Sequence, residues 1–185
     1  MQFNRHTSLE GMHAFLGASK FHWIRYDEEK LVNAYEKHLA KMKGTEYHEL
    51  AARLIRLREK MPRSNKTLCR YVNDAIGYKM TPEQMLFYSI NCFGTADAIS
   101  FRNNELRIHD LKTGQTPAHM DQLMIYAALF CLEYRIKPGE IRIILRIYQN
   151  DDFTEYEPTA DEILHIMDKI VQFDKVIDKI KEKEV

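Results

Sequence analysis

Apolar residues recur with helical spacing along the first part of this chain, give way to short alternating runs, and return to helical spacing twice more. The stretch DEEKLVNAYEKHLAKMKG predicts a helix from about Asp27, with acids at its start and lysines at its end. Gly44 reads as its stop and Thr45 as the cap of a second helix, EYHELAARLIRLREKM, closed by Pro62. Tyr47, Leu50, Leu54, Leu57 and Met61 form the predicted buried stripe of that helix, with Arg53, Arg56 and Lys60 on another face. A shorter helix covers NKTLCRYVNDAIG. Upstream of all three, a short helix runs through Trp23.

The period then changes. MLFYSI reads as a strand, with TPEQ before it as a helical turn. FGTADAISF and ELRIHDL read as two strands joined at RNN, a hairpin signal. TPAHMDQLMIYAALFCLEY is helical and KPGE is a turn. IRIILRIYQ alternates, with Ile141, Ile143, Leu145 and Ile147 on one face. Thr159 and Glu162 form a capping box for a last helix, whose stripe is Ile163, Ile166, Ile170, Phe173, Ile177 and Ile180. The order predicts an α/β domain with antiparallel strands together and a crossover to a later strand.

The 185 residues suit one domain, and 45% hydrophobic with 29% charged residues is ordinary for a globular chain. The formal net charge is zero, so no overall positive field points to a polyanion. The distribution is uneven: residues 41–70 carry a net +6, and residues 150–162 a net −6. No secretory signal is read at the N-terminus, and the longest uncharged apolar run, Leu123–Leu132, is too short for a bilayer. Cys69, Cys92 and Cys131 have no metal-ligand spacing, which predicts packing thiols and a cytoplasmic, reducing location. His6, His13, His22 and His38 likewise lack ligand spacing. Phe21, Trp23 and Tyr26 are expected to pack in the core rather than stack on bases. Arg142 and Arg146 are further candidates for phosphate contact.

Asp110 and Lys112 lie two apart on a predicted strand, hence on one face, and Asp97 lies on the neighbouring strand. Two facing carboxylates repel unless a cation sits between them, and oxygen ligands suit a hard divalent ion. An ammonium at the same place can neutralise developing charge on a phosphate. Taken alone, Asp110 and Lys112 would read as a surface ion pair of little energetic weight. His109 should point to the opposite face.

Four short motifs stand in series: Gly44-Thr45-x-x-His48, Gly94-Thr95-Ala96-Asp97, Asp110-Leu111-Lys112-Thr113-Gly114 and Gln122-x-x-x-Tyr126. The series resembles the PD-(D/E)XK nuclease superfamily, most closely its RecB-like branch, which includes phage-type exonucleases. The resemblance covers roughly residues 44–126. It implies an α-β-β-β-α-β core over residues 44–148 with a central mixed sheet, an N-terminal helical addition (1–43) and a C-terminal helix (159–182).

The resemblance also implies roles. His48, Asp97, Asp110 and the backbone carbonyl of Leu111 would bind Mg²⁺ or Mn²⁺. Asp97, Asp110 and Lys112 would be catalytic. Gln122, Tyr126, Thr113, Gln115, Arg53 and Arg56 would contact DNA or order the site. No iron–sulfur cluster is expected, since no cysteine precedes His48 and only Cys131 follows Tyr126. The implied activity is metal-dependent hydrolysis of DNA, as an exonuclease acting on linear DNA ends in phage recombination, repair or replication. The alternatives are a restriction or nicking endonuclease and a non-catalytic DNA-end adaptor. A recombinase or single-strand-binding partner, a homo-oligomer and no membrane association complete the expectation.

Overall fold

The computed structural model describes residues 7–9, 11–114 and 116–183. The chain divides into two compact units, Met1–Lys43 and Gly44–Val185. Residues 7–43 contain two 3₁₀ segments, Thr7–Leu9 and Ala18–Arg25, and the start of helix α1 (Glu28–Leu57). Asp27 caps α1 by accepting the Lys30 amide at 2.8 Å. None of residues 7–8 and 11–43 is buried. Phe21 is exposed and Trp23 and Tyr26 are only partly covered, so the expected core packing of these three rings is not found. His6 lies outside the described residues.

Where two helices were predicted, α1 is continuous. Gly44 is no stop and Thr45 no cap, because strong helix formers flank them and propagation needs no new nucleus. Gly44 serves close approach instead: a Cβ there would stand 2.7 Å from Thr113 Oγ1. The helix ends before Pro62. Arg58 takes a left-handed conformation, φ 58°, and the Glu59 amide reaches back to the Leu54 carbonyl at 3.0 Å. The buried face is also rotated from the predicted stripe. Gly44, Ala51, Ala52 and Ile55 are buried, and Leu54 and Met61 of the predicted stripe are partly buried against the core, while Tyr47, Leu50 and Leu57 are exposed. Small side chains let the helix lie close to its neighbours, and the bulky ones flank that contact.

Helix α2 (Thr67–Gly77) follows, then strands β1 (Thr81–Ser89), β2 (Cys92–Arg102) and β3 (Glu105–Leu111). Helix α3 (Asp121–Tyr134) crosses to β4 (Arg142–Gln149), which turns into β5 (Asp152–Tyr156) before helix α4 (Ala160–Lys183). The result is an α/β fold with a five-stranded mixed sheet in the order β1-β2-β3-β4-β5, parallel only between β3 and β4. TPEQ lies inside β1 rather than in a helical turn. Strand β5 was not predicted. Its turn, Asn150 and Asp151 at φ 53° and 59°, repeats the conformation of Asn103 and Asn104 at φ 51° and 57° in the predicted hairpin.

One sheet face packs on α3 and α4 around Leu106, Ile108, Leu123, Leu145 and Ile163. The other carries Ala51, Ile55, Tyr71, Val72, Leu111 and Tyr148. The capping box of α4 forms: Thr159 Oγ1 accepts the Glu162 amide, and Glu162 Oε2 accepts the Thr159 amide. The stripe of α4 is buried only at its start. Ile163 is fully covered and Ile166 and Ile170 are partly buried against the core, while Phe173, Ile177 and Ile180 are exposed. No helix among the described residues is long and apolar enough to cross a membrane.

The acidic segment is not a free negative face. Asp151 pairs with Lys66, Glu155 with Arg146 and Glu157 with Arg142. Arg142 and Arg146 are therefore engaged within the fold rather than free for phosphate. Arg146 is nearly buried and also meets Asp74 at 3.1 Å.

Candidate active site

The β2–β3 ladder pairs Ile99 with Ile108 and Ala98 with His109, then stops. Continuing that register would place Asp97 opposite Asp110. Where the ladder stops, Asp97 takes over as a partner: its Oδ2 accepts the Leu111 amide at 3.0 Å. Strand β4 holds the other side of this segment, and the Lys112 amide donates to the Tyr148 carbonyl at 2.9 Å. The Asp110–Lys112 stretch is thus fixed from both neighbours, and what Leu111 brings to these contacts is its N–H.

Asp110 is 2% exposed, and its Oδ2 is buried without a well-aligned hydrogen bond among the described residues. The Lys112 ammonium stands 3.2 Å from Oδ1 and 3.0 Å from Oδ2. The same ammonium donates to Gln122 Oε1 at 3.0 Å, and Gln122 Nε2 donates to the Tyr126 hydroxyl at 2.9 Å. Gln122 and Tyr126 are one turn apart on α3 and face together. Asp110, Lys112, Gln122 and Tyr126 therefore form one continuous polar chain. Gly94 makes room for it, since a Cβ at that position would come within 2.9 Å of the Tyr126 ring.

On the other side of Asp97, His48 Nδ1 lies 3.3 Å from Asp97 Oδ2. A residue not foreseen from the sequence joins them. Glu83, on β1, offers an oxygen that lies with the His48 and Asp97 ligand atoms inside a 4.8 Å group. Glu83 has φ 51° and falls out of the ladder between Pro82↔Ala98 and Gln84↔Ala96. The only trace of it in the sequence is an acid one strand before Asp97. Asp110 is not one of the three, because its carboxylate is turned to Lys112.

The electrostatics follow from this crowding. Burial, then repulsion from Asp97, raises the Asp110 carboxyl above its ordinary range, against the opposing pull of Lys112. Burial and Asp97 likewise raise Glu83, while His48 and Arg56 pull it down. The hydrogen bond to Asp97 raises His48, outweighing burial, and Asp110 and Glu83 add to it. Glu83 and Asp97 thus meet the His48 imidazole in one group, with the Asp110 carboxylate close enough to influence His48. Their donor set, oxygens with one nitrogen, suits a hard divalent ion.

The remaining expected residues differ in placement. Thr113 is exposed and lies against Gly44. Arg53 and Arg56 are exposed on α1; Arg56 is near enough to Glu83 to influence it. Gln115 lies outside the described residues. His109 is buried on the opposite face, with Nδ1 3.4 Å from the Tyr148 hydroxyl. No protein-family model matches this chain, and no curated protein is significantly similar to it.

Proposed function

We propose that this protein is a metal-dependent deoxyribonuclease with the PD-(D/E)XK fold, acting on DNA ends. The observation that supports the reading best is the convergence of the four sequence motifs. His48 meets Asp97, Asp97 holds the Leu111 amide, and Asp110 meets Lys112, which donates to Gln122 and through it reaches Tyr126.

His48, Asp97 and Asp110, with Glu83 and the Leu111 carbonyl beside them, would hold Mg²⁺ or Mn²⁺. When bound, the ion supplies positive charge that polarises a phosphate and acidifies a water. The chain's own residues do the rest. Asp110 and Gln122 fix the Lys112 ammonium between two acceptors, so it costs no reorganisation to aim it at a phosphate oxygen. Tyr126 fixes the Gln122 amide, which leaves its carbonyl turned to Lys112. Gly94 lets the Tyr126 ring close over that arrangement. Water adds at phosphorus, the P–O3′ bond breaks, and the water's protons end on the departing 3′ oxygen and in solvent. The products are a 5′-phosphate and a 3′-hydroxyl.

The test is digestion of linear, nicked and covalently closed circular DNA with Mg²⁺ and with Mn²⁺. Degradation of linear DNA with closed circles left intact is expected. Cleavage of closed circles makes the protein an endonuclease. Binding to DNA ends without cleavage under either ion makes it an adaptor.

A further inference from the structure

Beside the catalytic strand end is a pocket of about 440 Å³, within the range of sites that enclose a small organic group. Lys112 stands on the boundary: its ammonium serves Asp110 and Gln122, and the residue also lines the pocket. Tyr47, one residue before His48, forms one wall and is 48% exposed. Leu68 and Met61 supply apolar surface around it.

The pocket is preformed. Asn73 grips both backbone groups of Met61, accepting its N–H at 2.9 Å and donating to its carbonyl at 3.0 Å. Asp151 holds the Lys66 ammonium at 2.8 Å and the Thr67 amide at 2.9 Å, which fixes the rim. This pairing also selects the occupant. The positive charge of Lys66 is neutralised by Asp151, so the inner pocket favours a neutral planar group over a second phosphate. An aromatic ring with aliphatic neighbours suits a nucleobase of any sequence.

We propose that this pocket receives an unpaired nucleobase of the strand being cut, next to the phosphate handled by Lys112. The inference rests on the nuclease reading and adds a substrate form to it: single-stranded or frayed DNA. A base stacked and paired inside a duplex cannot enter.

The test compares wild type, Tyr47→Ala and Tyr47→Phe on a single-stranded oligonucleotide and on a blunt duplex, with Mn²⁺. Wild type should cut the single strand faster. Tyr47→Ala should raise KM for the single strand about ten-fold, the scale of one lost base–aromatic stack. Tyr47→Phe should behave as wild type. An abasic nucleotide beside the cleaved bond should weaken wild type equally and Tyr47→Ala no further. A wild type that prefers blunt duplex, or an unchanged KM in Tyr47→Ala, overturns the pocket assignment alone. A wild type that cuts no DNA overturns the nuclease reading and the pocket with it.

Discussion

Lowering the pH should destabilise this protein through His109, which sits directly behind the candidate site. Its ring is fully buried between Tyr78 and Tyr148, and Nε2 has no hydrogen-bond partner among the described residues. Burial, then the nearby charges of Arg146 and Arg107, lowers its pKa from 6.5 to about 3. Between those values the unfolded chain binds a proton that the folded chain refuses, so stability falls as pH falls. Each pKa unit is worth about 1.4 kcal/mol, which puts the full effect near 5 kcal/mol, with about 3 kcal/mol lost by pH 4. Against a typical domain stability of roughly 5–15 kcal/mol this is a large share. The assay is urea unfolding from pH 7.5 to pH 4 without divalent ions, for wild type and His109→Leu. The carboxylates are common to both chains and cancel in the comparison. Wild type should lose about 3 kcal/mol more than the variant over that range. Parallel profiles would refute the assignment of His109 as a buried neutral group.

His48 works in the opposite sense. Its raised pKa contributes stability below pH 6.5 that is lost as pH rises through the folded value, and a cation competes with the same proton. Calorimetric titration should therefore show Mn²⁺ binding strengthening between pH 6 and pH 8, and a flat response would contradict the ligand role. Asp110→Asn should abolish cleavage yet stabilise the metal-free protein by about 1 kcal/mol, because burial and Asp97 make that carboxylate costly at neutral pH. A melting temperature raised by roughly 2–4 °C in EDTA is the expected reading, and a lowered one contradicts it. Gly94→Ala should push the Tyr126 ring away and release Gln122, lowering kcat while leaving Mn²⁺ affinity unchanged. Equal loss in both would mean that Gly94 serves folding rather than the alignment of Lys112.

Much of the fold was legible because its strands and helices carry their own periods. Ile143, Leu145 and Ile147 alternate and β4 forms there, and Thr159 with Glu162 marks the start of α4. What failed has identifiable causes. Gly44 carries the usual signature of a helix end, but here the missing Cβ admits Thr113, a contact between residues far apart in sequence. The stripe Tyr47, Leu50 and Leu57 reads as buried by size, while the smaller Ala51 and Ala52 make the close contact. Strand β5 was hidden because it is a short edge strand, exposed everywhere except at Phe153. In the site, the spacing of Asp110 and Lys112 gave their shared face directly. Glu83 was not legible, since its approach to Asp97 depends on a left-handed residue breaking the β1 ladder. The pairing of Arg142 and Arg146 with acids from β5 and its flank was hidden for the same reason as β5 itself.

The central claim is that the Lys112 ammonium, held by Asp110 and Gln122, handles a phosphate. Its most direct test is the cleavage rate of an end-labelled linear DNA with Mn²⁺, measured for wild type and Lys112→Ala after circular dichroism shows both folded. Wild type should release 5′-phosphate products and Lys112→Ala should lose at least about a hundred-fold in rate, the scale of one preorganised donor to a developing charge. Equal rates in the two proteins, or no cleavage by wild type, would contradict it.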